Sequence, residues 1–438
     1  MRQRLFPNSL PRLALRAVLC AVIGGAFSLA TAQTENILHR FNPNSSTDGN
    51  DPGSGLVADK AGNLYGTTRQ GGGTADCGIA YELSPRGAGG TAWTEMILHD
   101  FAGGTDGCLP IGALAMDKNG NLYGTTAGGG DENSDGTAFE LTPPSEAGGA
   151  WTYAVISSFD NGIVAQIPTA QLVIDASGNL YGTSNGGINS YPDCGGSCGN
   201  IFELQPPSVA GGAWTGASIY DFLGGTSDGF GPSGLVLGPD GVIYGTTGEG
   251  GPEDYGTFFR LAPPTAPGGA WTERVVYLFT SANAVPFGNL VAGATGTYFG
   301  TSEGPYPLGA VYELFPPADG KGWTESILYT FTGGSDGSSP TGVVSDRFGN
   351  LYGVNIYGGT SNNGNCLTGG CGAAYELSPP TEVGGAWTET TLHDFVGGYD
   401  GGNPVGPVVL VKGLVFGATS YGGNPKYGLG GTVFRIMP

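Results

Sequence analysis

A tandem period dominates this sequence and leaves few folds open to it. Third-segment aromatics recur at Tyr65, Tyr123, Tyr181, Tyr244, Phe299, Tyr352 and Phe416, at spacings of 58, 58, 63, 55, 53 and 64 residues. Each belongs to a Leu-Tyr-Gly triplet or a variant of it, such as Leu64-Tyr65-Gly66 or Val415-Phe416-Gly417. Three other segments return in step. One is β-rich and ends in Phe (Phe41, Phe101, Phe159, Phe222, Phe279, Phe331, Phe395). Another is a short apolar run such as Leu56-Val57-Ala58-Asp59. The last is an aromatic-Glu-Leu motif around Tyr81, Phe139, Phe202, Phe259, Tyr312, Tyr375 and Phe434, with Arg260 and Arg435 replacing Glu in two copies. A fixed period of this length is the mark of a repeat architecture.

The segments are short, rich in β-branched and aromatic residues, and separated by Gly, Asp, Asn and Pro, which is strand patterning. Asp59-Lys60-Ala61-Gly62-Asn63 recurs at Asp117, Asp175 and Asp346 and reads as a tight hairpin, with Asp bonding its own backbone and Gly at positive φ. Four strands per repeat, seven times over, predict an all-β, seven-bladed β-propeller with four-stranded blades over residues 33–438. The chain begins with an outer-type strand, Ile37–Phe41, and the seventh repeat stops after its third strand at Ile436. Pairing the spare strand with the incomplete blade closes the ring and removes a sheet edge.

Leu-Tyr-Gly-Thr-Thr, Phe-Glu-Leu-x-Pro-Pro and Gly-Gly-Ala-Trp-Thr-Glu, with the Gly-Gly-x-Asp-Gly turn, resemble the Gloeo/Verruco tandem repeat of exported bacterial proteins, a choice-of-anchor group. The resemblance spans nearly all of residues 33–438. It implies a secreted, periplasmic or envelope location and brings no established activity. The last repeat ends at Ile436-Met437-Pro438, which leaves no room for the anchoring tail of such proteins. The inner-strand and Gly-Asn-Leu-Tyr pattern is also similar, at the level of fold, to NHL-type propellers.

Residues 1–32 have the layout of a signal peptide: Arg2, Arg4, Arg12 and Arg16, an apolar stretch from Ala17 to Leu29, and Ala30-Thr31-Ala32 as a cleavage site. Cys20 lies inside the apolar stretch, against a lipoprotein reading. Removing the four arginines takes the formal charge from −21 to −25. That balance disfavours nucleic acid, whose phosphates reward Lys and Arg. No second apolar span is present, so no membrane span is expected in the mature chain.

Six cysteines remain, an even number suited to disulfides in an exported chain. Cys77, Cys198 and Cys371 hold nearly equivalent places before a third strand. Cys194 and Cys366 share loops with two of them, so Cys194–Cys198 and Cys366–Cys371 are expected, leaving Cys77 to pair with Cys108 across neighbouring blades.

Catalytic signals are absent. His39, His99 and His393 share one outer-strand slot two residues before Phe and are expected on the strand surface. Gly-x-Ser-x-Gly occurs at Ser197, Ser227 and Ser335 without the strand-turn-helix context of a hydrolase elbow. The Asp-Gly turns (Asp48, Asp106, Asp228, Asp336, Asp400) offer one carboxylate each, too few oxygens for calcium. Trp93, Trp151, Trp214, Trp271, Trp323 and Trp387 open outer strands and are expected to pack over the hairpins before them. The aromatic-Glu-Leu glutamates are expected on a solvated strand face. No metal or other cofactor is expected.

The second-to-third-strand loops (184–200, 248–256, 302–309, 355–373, 418–431) vary most and share one face, where a rigid scaffold concentrates function. They carry Tyr191, Tyr255, Tyr306, Tyr357, Tyr421 and Tyr427, with Asp193, Glu253, Asp254 and Glu303, as candidate ligand contacts. The reading is a non-enzymatic binding or surface-interaction propeller, its partner a carbohydrate or another surface protein. The alternatives are a propeller hydrolase or lactonase with a metal in the central channel, or a carbohydrate-binding protein.

Overall fold

The glycine of each Leu-Tyr-Gly triplet explains how neighbouring strands pack. Gly66 faces Tyr81 across the ladder, Gly124 faces Phe139 and Gly182 faces Phe202. The third-strand aromatic lies over the glycine so closely that a Cβ on Gly182 would sit 2.4 Å from Phe202 Cζ. A side chain there would push the ring out of the core.

In the computed structural model these strands form seven antiparallel sheets, six with inner, second, third and outer strands in chain order and the seventh taking its outer strand from the start of the chain. The structure describes residues 35–438 apart from 88–91, 131–133, 147, 160–164, 169, 187–193, 195, 210, 267, 281–284, 304–307, 319–321, 362–365, 368, 383 and 424–428. Residues 1–32, read as a leader, lie outside the described residues. Blade 1 contains Gly49–Pro52 with Val57–Ala58, Leu64–Gly71, Ile79–Arg86 and Ala92–Asp100. Blades 2 to 6 run from Cys108 to Ser158, Gln166 to Asp221, Gly229 to Leu278, Pro286 to Thr330 and Ser338 to Asp394. Blade 7 takes Gly402–Val411, Leu414–Tyr421 and Leu429–Ile436 from the end of the chain and Glu35–Arg40 from its beginning. The fold is the seven-bladed propeller that the repeat predicts.

The core lies between blades rather than within them. Seven buried clusters each join residues of neighbouring blades; one brings Phe41 and Val433 of blade 7 onto Leu64 and Tyr81 of blade 1. The outer-strand Phe is the repeated rivet. Phe41 meets Tyr81 with ring centroids 5.1 Å apart, Phe101 meets Phe139 at 5.2 Å, and the series continues to Phe395 on Phe434 at 5.0 Å. Each such ring, buried to within a few per cent, contributes about 2–3 kcal/mol.

The tryptophans pack, and they do so across a blade boundary. Each packs on the second-strand aromatic of the preceding blade: Trp151 on Tyr65, Trp214 on Tyr123, Trp271 on Tyr181, Trp323 on Tyr244, Trp387 on Phe299 and Trp93 on Phe416. They rivet neighbouring blades together. Glu82 is likewise buried, not solvated, and Glu140 and Glu203 accept from Tyr123 and Tyr181 hydroxyls.

Candidate binding face

Antiparallel order gives the propeller two unlike faces. On one, the connections are short hairpins, and those between inner and second strands share one pattern in blades 1, 2, 3 and 6. Asp59 Oδ1 accepts from the Gly62 and Asn63 amides, and Asp117, Asp175 and Asp346 likewise accept from the Asn amide four residues on, with a second bond from the amide two residues on. The Pro-Pro hairpins on the same side share one turn bond, as in Gly149 to Glu146 and Gly385 to Glu382. The opposite face carries the second-to-third-strand loops and the turns between blades, and irregularity collects there.

All three expected disulfides are formed on that face. Cys77–Cys108 ties the loop of blade 1 to the inner strand of blade 2, and Cys194–Cys198 and Cys366–Cys371 close local loops. Next to the first bridge, the Leu109 amide donates to the Cys77 carbonyl (3.0 Å). This clip recurs: Ile167 donates to Asp135, Ser339 to Leu308 and Asn403 to Cys371. Each donor immediately precedes a proline and has a left-handed backbone, with φ of 58° at Leu109, 50° at Ile167, 58° at Ser339 and 52° at Asn403. Such a conformation is unfavourable for a side chain, most of all for β-branched Ile167, and costs about 1–3 kcal/mol per site. The clips between blades hold it in place.

What these strained residues present differs round the ring. Asn403 is buried, and its side chain binds Leu367, Ile356 and Gly370 of the neighbouring loop. Asp51 lies 3.7 Å from the Arg69 guanidinium. Leu109 and Ile167, in adjacent blades, are instead 39% and 46% exposed, and Phe287 at the start of the blade 5 inner strand is 40% exposed. Leu109 and Ile167 thus hold exposed apolar side chains on a strained, cross-braced backbone.

Of the candidate tyrosines, Tyr191, Tyr306 and Tyr427 lie outside the described residues, as does Asp193. Tyr255 packs against the core cluster of Phe258, Phe279 and Leu290, so its ring is partly spent on folding. Tyr357 and Tyr421 end the second strands of blades 6 and 7 at equivalent positions, opposite Ser338 and Gly402, and both are half-buried. Asp254 accepts from the Gly250 amide and shapes its own loop. Burial raises the Glu303 carboxyl above its ordinary range.

Inner strands use their polar side chains on one another. Gln171 donates to the Leu114 carbonyl, Asn289 to Val343 and Thr341 to Gly406. Among the described residues, two groups of His, Asp and Glu come close enough to share an ion, and neither draws on an inner strand's interior. They are His39–Asp48–Glu95 and Glu35–His393–Asp400, built from outer strands and the turns between blades. The histidines therefore do more than coat a strand. Their convergence escapes a repeat alignment because the three residues come from two or three successive strands and turns. One signal was available: a His or Tyr in the slot before Phe accompanies an Asp in the following turn at His99–Asp106, Tyr220–Asp228 and Tyr329–Asp336.

The Asp-Gly turns are turn-formers, as expected: Asp106, Asp228, Asp336 and Asp400 each accept from a backbone amide four or five residues earlier.

Comparison with known proteins agrees with this architecture. A sequence profile describing the Gloeobacter/Verrucomicrobia repeat matches residues 21–215 and again 194–367. Among solved structures, PorZ, an essential bacterial surface component of the type-IX secretion system of Porphyromonas gingivalis, is similar at 13% identity and a TM-score of 0.50. That match covers 87% of this chain and 46% of PorZ, so the chain spans about half of PorZ's length. A polysaccharide lyase, an ulvan lyase, is similar at 11% identity and a TM-score of 0.53, covering 90% of this chain and 95% of the lyase. No curated protein matches the chain. At such identities the structural likeness concerns the fold alone. The tandem profile matches, over most of the chain, carry the assignment: this propeller belongs to the Gloeobacter/Verrucomicrobia repeat family.

Proposed function

We propose that this chain is an exported, non-enzymatic binding propeller that engages an extracellular carbohydrate or surface protein through its loop-bearing face. The observation that carries the reading is the contrast between faces. Short hairpins occupy one side, while strained exposed Leu109 and Ile167, the long loops and all three disulfides occupy the other. Three disulfides fit an extracellular or envelope location. Residues 1–32 would serve as the leader, leaving 33–438 as the working protein. No helix among the described residues is long and apolar enough to cross a membrane.

Tyr357 and Tyr421, together with their counterparts in the variable loops, are assigned as ligand contacts on that face. Labelled protein applied to glycan arrays and to the surface of the producing cells tests the reading. Saturable binding that weakens at least tenfold, or about 1.4 kcal/mol, in the Tyr357→Ala/Tyr421→Ala variant supports it. Blank arrays together with unlabelled cells would sink it.

A further inference from the structure

The closing blade is bounded on each side by one histidine and two carboxylates. On its blade 1 side stand His39 of the first strand, Asp48 of the following turn and Glu95 of the blade 1 outer strand. On its blade 6 side stand His393 of the blade 6 outer strand, Asp400 of the following turn and Glu35 of the first strand. His39 Nε2 is 3.5 Å from Asp48 Oδ1 and 3.6 Å from Glu95 Oε1. His393 Nε2 is hydrogen-bonded to both Asp400 oxygens at 3.2 Å and lies 3.6 Å from Glu35 Oε2.

Distances of 3.5–3.6 Å are too long for hydrogen bonds. They suit ligands on a common ion, since a tetrahedral centre with bonds of about 2.0–2.1 Å sets its ligands roughly 3.4 Å apart. His39 Nε2 and Glu95 Oε1 face each other, both are buried, and neither has a hydrogen-bond partner. The Glu35 side chain is only 9% exposed, and its Oε1 is likewise unpaired. An unpaired glutamate oxygen also occurs at Glu273, so the distinguishing atom is the His39 nitrogen.

Equivalent junctions show what these sites lack. In blade 4 the slot holds Tyr220, whose longer side chain brings its hydroxyl to 2.9 Å from Asp228 Oδ2 and 3.4 Å from Glu273 Oε2. Tyr277 reaches Glu325 at 3.0 Å in the same way. The phenol closes the gap itself. At His99 the glutamate is replaced by Tyr153, which stacks on the imidazole at 3.5 Å, while Asp106 alone bonds the ring. His and Glu therefore coincide only at the two junctions that hold the N-terminal strand in place. A neutral imidazole and two carboxylates carry a charge of −2, which a divalent cation neutralises. The donors are 9–20% exposed, enough for a water to complete the coordination.

We propose that His39–Asp48–Glu95 and Glu35–His393–Asp400 each bind one divalent transition-metal ion of the zinc class, and that the two ions clamp the first strand into the ring. Such ions bind the folded ring and not the open chain, so they stabilise closure.

The test uses the full purified chain, stripped with a chelator and then titrated with zinc chloride, with calcium chloride in parallel. Elemental analysis after gel filtration should find two zinc ions per chain, and zinc should raise the melting temperature. His39→Tyr and His393→Tyr copy the Tyr220 junction and so preserve folding. Each should remove one ion, and the pair should remove both together with the zinc-dependent rise in melting temperature. His99→Gln should leave two. Zinc uptake that is absent, that survives in the double variant, or that gives way to calcium would overturn the assignment.

Discussion

Ile37 lies opposite Phe434 in an antiparallel ladder, so the two ends of the chain share one sheet. Phe41, at the end of that strand, is 1% exposed and packs on Tyr81 of blade 1. Deleting residues 33–41 should therefore do more than fray an end. Loss of Phe41 burial alone costs about 2–3 kcal/mol, and the strand Leu429–Ile436 becomes a free edge open to other chains. Calorimetry should show a lower melting temperature, and light scattering should show self-association. A monomer melting like the parent would contradict ring closure by this strand.

Gly182→Ala tests the packing of third-strand rings on second-strand glycines. The new methyl would stand 2.4 Å from Phe202 Cζ and 2.8 Å from Leu172 Cδ2, both in a close-packed cluster. Overpacking of this kind costs about 1–3 kcal/mol. A lower denaturant midpoint is expected, whereas Gly322→Ala, with nothing within 4 Å of its Cβ and no left-handed backbone to strain, should cost less. Equal losses in the two variants would remove the explanation for the Leu-Tyr-Gly triplet.

The Cys77–Cys108 bridge spans 31 residues and joins two blades, while Cys194–Cys198 spans 4. Chain-entropy arguments assign about 3–4 kcal/mol to the longer link and roughly 2 kcal/mol to the shorter. Cys77→Ala/Cys108→Ala should lower the denaturant midpoint more than Cys194→Ala/Cys198→Ala does. The reverse order would show that the inter-blade staple is not the stronger one.

Glu273 sits beside Asp228 at the Tyr220 junction, and burial, then the Asp228 charge, pushes its carboxyl up to about 7. The folded chain thus holds a proton there that the unfolded chain has released above its ordinary range near 4.5. Stability from this group is present below that range and is lost as pH rises from about 4.5 to 7. Glu273→Gln should flatten this part of the profile in thermal melts taken across the interval. An unchanged slope would show that Glu273 is ionised throughout.

Much of this architecture was legible because propeller repeats report themselves through period. The spacing of Tyr65, Tyr123 and Tyr181 gave the blades, the spare strand at Ile37 gave the closure, and the shared position of Cys77, Cys198 and Cys371 gave the disulfides. Aligning repeats compares equivalent residues, however, and not neighbours. Trp151 meets Tyr65 and Glu95 meets His39 across a blade boundary, so those contacts appear only once the ring is assembled. The left-handed residues stayed hidden for another reason. Asp51, Leu109, Ile167, Ser339 and Asn403 share a backbone conformation and a following proline but no side-chain chemistry.

The division of the propeller into a binding face and a scaffold face is tested most directly by a polar substitution of one exposed apolar residue on each. Ile167→Asp alters the loop-bearing face, and Phe348→Ser alters the hairpin Asp346–Asn350 on the other side, where Phe348 is 70% exposed. Labelled proteins should be compared on glycan arrays and on the producing cells, at matched melting temperatures. The account predicts at least tenfold weaker binding for Ile167→Asp and parental binding for Phe348→Ser. Parental binding by Ile167→Asp with loss in Phe348→Ser would place the partner on the opposite face.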